Sequence, residues 1–343
     1  MKSAQGSPSA TIAGTPSLSS LFDLVSDEMS LVEDWLKSNL IDDNTFVEEL
    51  LKQIFHAGGK RIRPLIVLLS SKATARETGK LSRLHIILAV LTELIHTASL
   101  VHDDVIDKAS VRRGQETINK KWNDRIAVLM GDLLFAQASI CLARIMNPVV
   151  VGIYGQVLGD LCSGEIKQMR QQFQTKVDWD AYIEKSVGKT ASLFSAGSHS
   201  GAILNGCSNE TIQNLKDYGL NLGICFQIVD DLLDITGSQK ETGKAVGSDL
   251  RNGVVTAPAM FILEAGDANS ARLKELIDTR AICEDAGAEE ALAIIRNNGG
   301  VEKTVDLARS YADKAIESLK DIKDSSYKDG LATLANYVMT RTT

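Results

Sequence analysis

Apolar residues recur every three or four positions along nearly the whole chain from Leu21 onward. Leu21, Leu24, Val25, Leu31, Val32 and Leu36 keep that spacing, and Phe46, Leu50, Leu51 and Ile54 continue it. Side chains three and four apart share one face of a helix, so the pattern predicts amphipathic helices. Gly58-Gly59 then punctuates the chain as a helix C-terminus does. Pro64 suits the first turn of a following helix over Leu65 to Ala75. Further helices are predicted over 81–107, 124–146, 149–171, 179–204, 209–235, 257–264, 288–297 and 301–319. No run alternates with period two for long enough to predict a strand. The expected fold class is all-α, a single-domain bundle over residues 21–343, with polar glycine-containing loops at 108–118 and 236–256.

Residues 1–20 break the pattern. They are rich in Ser, Thr, Ala and Gly, with Lys2 the only charge, and cannot bury enough apolar surface to order themselves. The segment is expected to be disordered, as the remnant of either an organelle transit peptide or cloning. The most apolar stretch, Leu81 to Val101, is interrupted by His85, Thr92, Glu93, His96, Thr97 and Ser99. It reads as a buried core helix, and no transmembrane segment is expected.

Composition narrows the function. A net charge of −7 argues against a nucleic-acid partner, which calls for a basic face, yet local basic clusters can still serve anionic substrates. Cys141, Cys162, Cys207, Cys225 and Cys283 are scattered without a CxxC spacing, which suggests reduced thiols.

The chemistry is carried by an internal echo. Asp103-Asp104-Val105-Ile106-Asp107 and Asp230-Asp231-Leu232-Leu233-Asp234 each place an aspartate pair and a third aspartate at the end of an apolar helix. In a helix the first and fifth of these positions stack, with the second beside them. Three carboxylates so close repel one another unless a cation neutralises them. Mg2+ suits such a set, because it takes hard oxygen ligands from a few carboxylates and from substrate phosphates.

With these clusters the sequence resembles the trans-prenyl diphosphate synthases, from about Leu21 to the C-terminus. The resemblance implies a helical bundle whose two acid clusters face each other across a central cavity. There Asp103, Asp104, Asp107, Asp230, Asp231 and Asp234 would hold three Mg2+ ions against an allylic diphosphate. It also assigns the basic groups. Gly58-Gly59-Lys60-Arg61-Ile62-Arg63-Pro64 matches the family's GGKxxRP element, which gives Lys60 and Arg63 to the diphosphate of isopentenyl diphosphate. His96, seven residues before Asp103, joins them. Arg112 goes to the allylic diphosphate and Arg113 to the isopentenyl one. Lys189 and Lys244 would neutralise the allylic diphosphate as it leaves, Thr190 and Gln227 lie near the reacting carbons, and Asp249 assists from behind the ligands. His102 is expected to be structural. Val254 stands where many members of the family have lysine, a departure shared by long-chain synthases of plastid and cyanobacterial type, whose Thr-Ala-Pro resembles Thr256-Ala257-Pro258.

The implied reaction is repeated head-to-tail condensation of isopentenyl diphosphate onto an allylic diphosphate. Product length should follow the face of the helix before Asp103. Ala98 and Ser99 are small where short-chain members carry an aromatic floor, so the route past Ile95, Thr92, Leu91 and Leu88 is expected to stay open, with Phe135 a candidate floor. Products longer than geranylgeranyl are expected, of solanesyl-like length, for a quinone side chain. The alternatives are a synthase stopping at geranylgeranyl diphosphate and a partner subunit of a heteromeric synthase. A terpene cyclase is disfavoured because its second metal motif mixes Asn, Ser or Thr with Glu, and a cation-binding scaffold leaves the spaced basic groups unexplained. The resemblance further implies a homodimer, with the helix over 124–146 a candidate interface, in a plastid stroma or a bacterial-type cytoplasm.

Overall fold

The computed structural model describes residues 18–38, 44–56, 58–76, 80–237 and 246–340. The chain is already helical at α1 (Leu18–Asp23), three residues before the expected boundary, and residues 1–17 lie outside the described set. There follow α2 (Ser26–Ser38), α3 (Thr45–His56), α4 (Ile62–Ala73) and α5 (Arg83–Ile106). A small hairpin, β1 (Val111–Arg112) and β2 (Gln115–Glu116), leads to α6 (Ile118–Lys121), α7 (Asp124–Ile145) and α8 (Pro148–Arg170). Next come α9 (Trp179–Ser186), a π-helical turn (Val187–Ala191), α10 (Ser192–Leu204) and α11 (Asn209–Thr236). The rest is α12 (Ser248–Arg251), α13 (Ala257–Ala265), α14 (Ala268–Asp278), α15 (Asp285–Asn297), α16 (Gly300–Glu317) and α17 (Ser326–Thr340).

Helix starts follow their local chemistry. Asn123, Asn147, Asp178, Ser208 and Asp267 each precede a helix and accept from its first backbone amides, which satisfies donors that lack an intrahelical partner. Pro148 sits in the first turn of α8, where its missing N–H costs nothing.

At the centre lies α5, packed chiefly on α7 and also on α4, α10 and α2, while α11 packs on α10 and α16. From Ile86 to Ile95 nearly every α5 side chain is buried, so its long apolar run is a core helix buried on all sides. A second, smaller core joins Ile235 and Leu250 to residues of α13, α14 and α15.

One expectation is corrected. The loop over 108–118 contains the hairpin, whose strands of two residues are too short for a period-two signal to show. Three helices, α5, α7 and α8, are long and apolar enough to cross a membrane by length and composition. In α5 67% of the apolar window is buried inside the fold, against 33% in α7 and 22% in α8. The last two therefore present apolar surface outward, with Leu129 of α7 at 66% and Ile166 of α8 at 60% exposure.

Candidate active site

The last turns of α5 and α11 bring the two acid clusters to one cavity of ≈ 1490 Å³. Asp103, Asp107, Asp230, Asp231 and Asp234 line it, together with Lys60, Arg63, His96, Arg112, Arg113, Lys189, Thr190, Gln227, Asp249 and Val254. Only Asp104 of the six aspartates does not. It is buried, and its Oδ1 accepts from Arg112 Nε at 2.6 Å. Lys244 falls outside the described residues.

Burial dominates the electrostatics. It pushes the Asp103 carboxyl up to about 6, against the pull of Lys189 and with a further push from Glu165 and Asp107. Burial likewise raises Asp231 to about 6, although Lys185 favours its charged form. Asp234 is raised too, by burial and then by neighbouring Asp249. These groups would bind a cation readily, because a cation favours the charged form that burial penalises. Among the described residues no three acid, His or Cys side chains already converge on one point.

The basic side of the cavity is built by two turns. Arg112 pairs with Gln115 in the hairpin, so Arg113-Gly114 is a two-residue loop. Both loop residues have positive φ, 51° and 76°, as a type I′ turn demands; the second position is cheap for glycine and costly for most other residues. The turn swings Arg113 back so that its Nη1 donates to the Gly58 carbonyl. A Cβ on Gly59 would lie 2.7 Å from that nitrogen, so a side chain there would displace the Arg113 guanidinium. The second turn is at Arg61, whose φ of 46° is unusual for a bulky residue. Its buried guanidinium donates to Glu33 at 2.6 Å and to Glu93 at 2.8 Å, tying the loop to α2 and α5. Lys60 and Arg63 flank this anchored residue. Arg63 donates to His96 Nε2 at 3.0 Å and lies over the Phe194 ring. Burial, then the charges of Arg63, Arg113, Arg112 and Arg61, hold the His96 imidazole well below its usual value, so it is neutral and accepts.

Lys189 and Thr190 sit in the π-helical turn, a wider coil often found at functional sites. The Lys189 ammonium lies 2.6 Å from Glu165 of α8. Thr190 donates to Gln227 Oε1 at 2.6 Å, Gln227 donates to Asp231 Oδ1 at 2.9 Å, and Tyr182 donates to Asp231 Oδ2 at 2.7 Å. The outcome is a cavity with carboxylates at one wall and guanidinium, ammonium and imidazole groups at another, able to hold polyanions and cations together.

Residues 44–295 match the polyprenyl synthetase family. The chain belongs to that family. It is 41% identical over 327 residues to "Solanesyl diphosphate synthase 2, chloroplastic" of Arabidopsis thaliana, covering 95% of this chain and 77% of the relative. A "Prenyl transferase" of Synechocystis sp. is 39% identical over 325 residues, covering 95% and 99%. Among solved structures it is similar to a polyprenyl synthase from Caulobacter crescentus complexed with calcium and isoprenyl diphosphate, with TM-score 0.89, 31% identity, and coverage of 97% and 100%.

As a polyprenyl synthetase, the protein is a prenyltransferase of the all-α isoprenoid synthase type, as its sequence implied. Of the chain-length residues, Ser99 lines the cavity, while Ala98, Ile95, Thr92, Leu91 and Leu88 are buried. Below Ser99, Thr92 and the Tyr154 hydroxyl of α8 share a buried hydrogen bond of 2.6 Å. The Phe135 ring lies 5.6 Å from that of His102. His102 itself contacts the Val128 carbonyl at 3.0 Å, away from the cavity wall. Sequence reasoning missed Glu33, Glu93, Tyr154, Glu165, Tyr182 and Lys185. Each acts through contact with another helix, and none carries a local pattern.

Proposed function

We propose that this synthetase elongates an allylic diphosphate with successive isopentenyl diphosphate units, head to tail, to a long-chain polyprenyl diphosphate. The observation that supports it best is the convergence of both acid clusters and the basic groups on one cavity. Asp103, Asp107 and Asp230 are the residues that would hold Mg2+, with Asp231 and Asp234 beside them on the cavity wall, oriented by their own hydrogen bonds, and Asp104 behind. Bound there, Mg2+ would neutralise the allylic diphosphate and stabilise it as a leaving group.

The protein's own groups account for the rest. Arg112 and Lys189 face the negative charge that develops as the allylic C–O bond breaks, a preorganised electrostatic role that needs no rearrangement. Lys60, Arg63, His96 and Arg113 fix isopentenyl diphosphate so that its double bond meets the allylic carbon. Neutral His96 cannot repel the surrounding arginines, and Arg63, stacked on Phe194, keeps its fork aimed at the anion. Loss of a proton, to the departing diphosphate, then regenerates an allylic product one unit longer.

Small Ala98 and Ser99 leave no aromatic floor at the mouth, and the Tyr154–Thr92 pair is the first barrier the growing tail meets. The name of the Arabidopsis relative supports a long product, and the Arabidopsis and Synechocystis relatives together support a plastid or cyanobacterial-type setting. The outward apolar faces of α7 and α8 support a homodimer, because such a patch calls for a partner surface.

The test is to supply the purified chain with labelled isopentenyl diphosphate, an allylic primer and Mg2+, and to size the products. Products beyond 20 carbons, lost on chelation, are expected. A dominant product of 20 carbons or fewer defeats the long-chain reading. Tyr154→Ala should lengthen the product and Ser99→Phe should shorten it.

A further inference from the structure

Lys185 is 6% exposed, in the last turn of α9, and it lines the cavity. Three other cations around the site have carboxylate partners. Arg61 has Glu33 and Glu93, Arg112 has Asp104, and Lys189 has Glu165. The Lys185 ammonium has none within ion-pair distance among the described residues. Its contact is the face of the Tyr182 ring, 5.2 Å from the ring centroid. An aromatic face satisfies an ammonium only in part, which leaves it able to take an anion in the cavity.

The bland explanation is a counter-ion for Asp231. Geometry speaks against a direct pair, because the two groups lie beyond ion-pair distance and Tyr182 and Gln227 are the donors that reach Asp231. Lys185 favours the Asp231 charge through space, ahead of those two hydrogen bonds. What remains is a three-donor cation on the cavity wall, next to the second acid cluster and four residues before Lys189.

We propose that Lys185 is a further ligand of the allylic diphosphate, taking that anion as its partner beside the second acid cluster. The proposal rests on the reading that the acid clusters hold the allylic substrate. Lys185 then does for the diphosphate at α11 what Lys189 does nearer α5. When the C–O bond breaks, it shares the charge of the released anion.

Initial rates test this. Lys185→Met keeps length and removes charge, and Lys185→Arg keeps charge. KM is measured for farnesyl diphosphate at saturating isopentenyl diphosphate and the reverse, and inorganic pyrophosphate is titrated as an inhibitor. Lys185→Met should raise both the farnesyl diphosphate KM and the pyrophosphate inhibition constant by about tenfold, the loss expected for one charged hydrogen bond. The KM for isopentenyl diphosphate should stay within about twofold, and the arginine variant should recover most of the loss. A general distortion of the cavity would move both KM values together, and that result overturns the proposal, as does an unchanged pyrophosphate constant. Should Lys185→Met fail to fold, Lys185→Gln gives the same readout. Asp103→Asn separates the two ideas. If it loses turnover while Lys185→Met is normal, Lys185 alone is refuted; if it turns over normally, the acid-cluster reading falls and takes this proposal with it.

Discussion

The two aspartate clusters are near copies in sequence and differ in what holds them. At the end of α5, Asp104 is clamped by a cation, Arg112, at 2.6 Å, while Asp103 and Asp107 line the cavity. At the end of α11, Asp231 is held by neutral donors, Tyr182 and Gln227. Asp234, which stands in the same motif position as Asp107, instead accepts from the Ser248 amide and hydroxyl at 3.0 Å and the Asp249 amide at 3.1 Å. The repeated motif therefore divides its labour differently at each end. In the first cluster the second acid is the anchor; in the second cluster the last acid also serves as an anchor, capping α12.

The sharpest way to break this comparison is to remove the matched fifth positions. Asp107→Ala should lower kcat by about 10²–10³-fold, as loss of one preorganised charge-stabilising group does, and leave stability within about 0.5 kcal/mol. Asp234→Ala should do the reverse in kind. It leaves the Ser248 and Asp249 amides without their acceptor, so unfolding free energy should fall by roughly 1–3 kcal/mol, with a smaller loss of turnover. Denaturant titration and initial rates measured on both variants check the crossing. Equal profiles would show that the clusters are equivalent after all.

Smaller effects sharpen it. Tyr182→Phe removes one neutral hydrogen bond to Asp231 and should cost about 3–10-fold in kcat; no loss would mean that Asp231 needs no positioning. The pH dependence follows from the raised carboxyls. With Asp103 and Asp231 at about 6 and an unfolded value near 3.8, the folded protein binds their protons more tightly. Stability of the ligand-free protein therefore falls as pH rises from about 4 to 6, while turnover, which needs the charged forms, rises over the same interval. Thermal melts and kcat/KM profiles should show these opposite slopes, and Asp103→Asn should flatten the first.

The sequence carried the long elements well because burial and helical period coincide in them. The ends of α5, α7, α8 and α11 fall within two residues of expectation. The hairpin was hidden because two-residue strands have no period, although Gly114 at its turn was a signal available in Arg112-Arg113-Gly114. The π turn was invisible because residues 190–202 are buried on every face, so the one-residue shift of register leaves no mark in the apolar pattern. Leu331, Leu334, Ala335, Val338 and Met339 do keep helical spacing in α17 and were passed over behind Gly330. At the site, acids and bases in local motifs were legible. Glu165, Tyr182 and Lys185 were not, since their meaning arises where α8 and α9 pack beside α11.

The most direct measurement compares Mg2+-dependent incorporation of labelled isopentenyl diphosphate by the wild type, Asp103→Asn and Asp230→Asn. Both variants should lose turnover by about 10²-fold or more, with a raised Mg2+ requirement in each. If either variant matched the wild type across the Mg2+ titration, one cluster would be dispensable, and a single cavity worked by both would be contradicted.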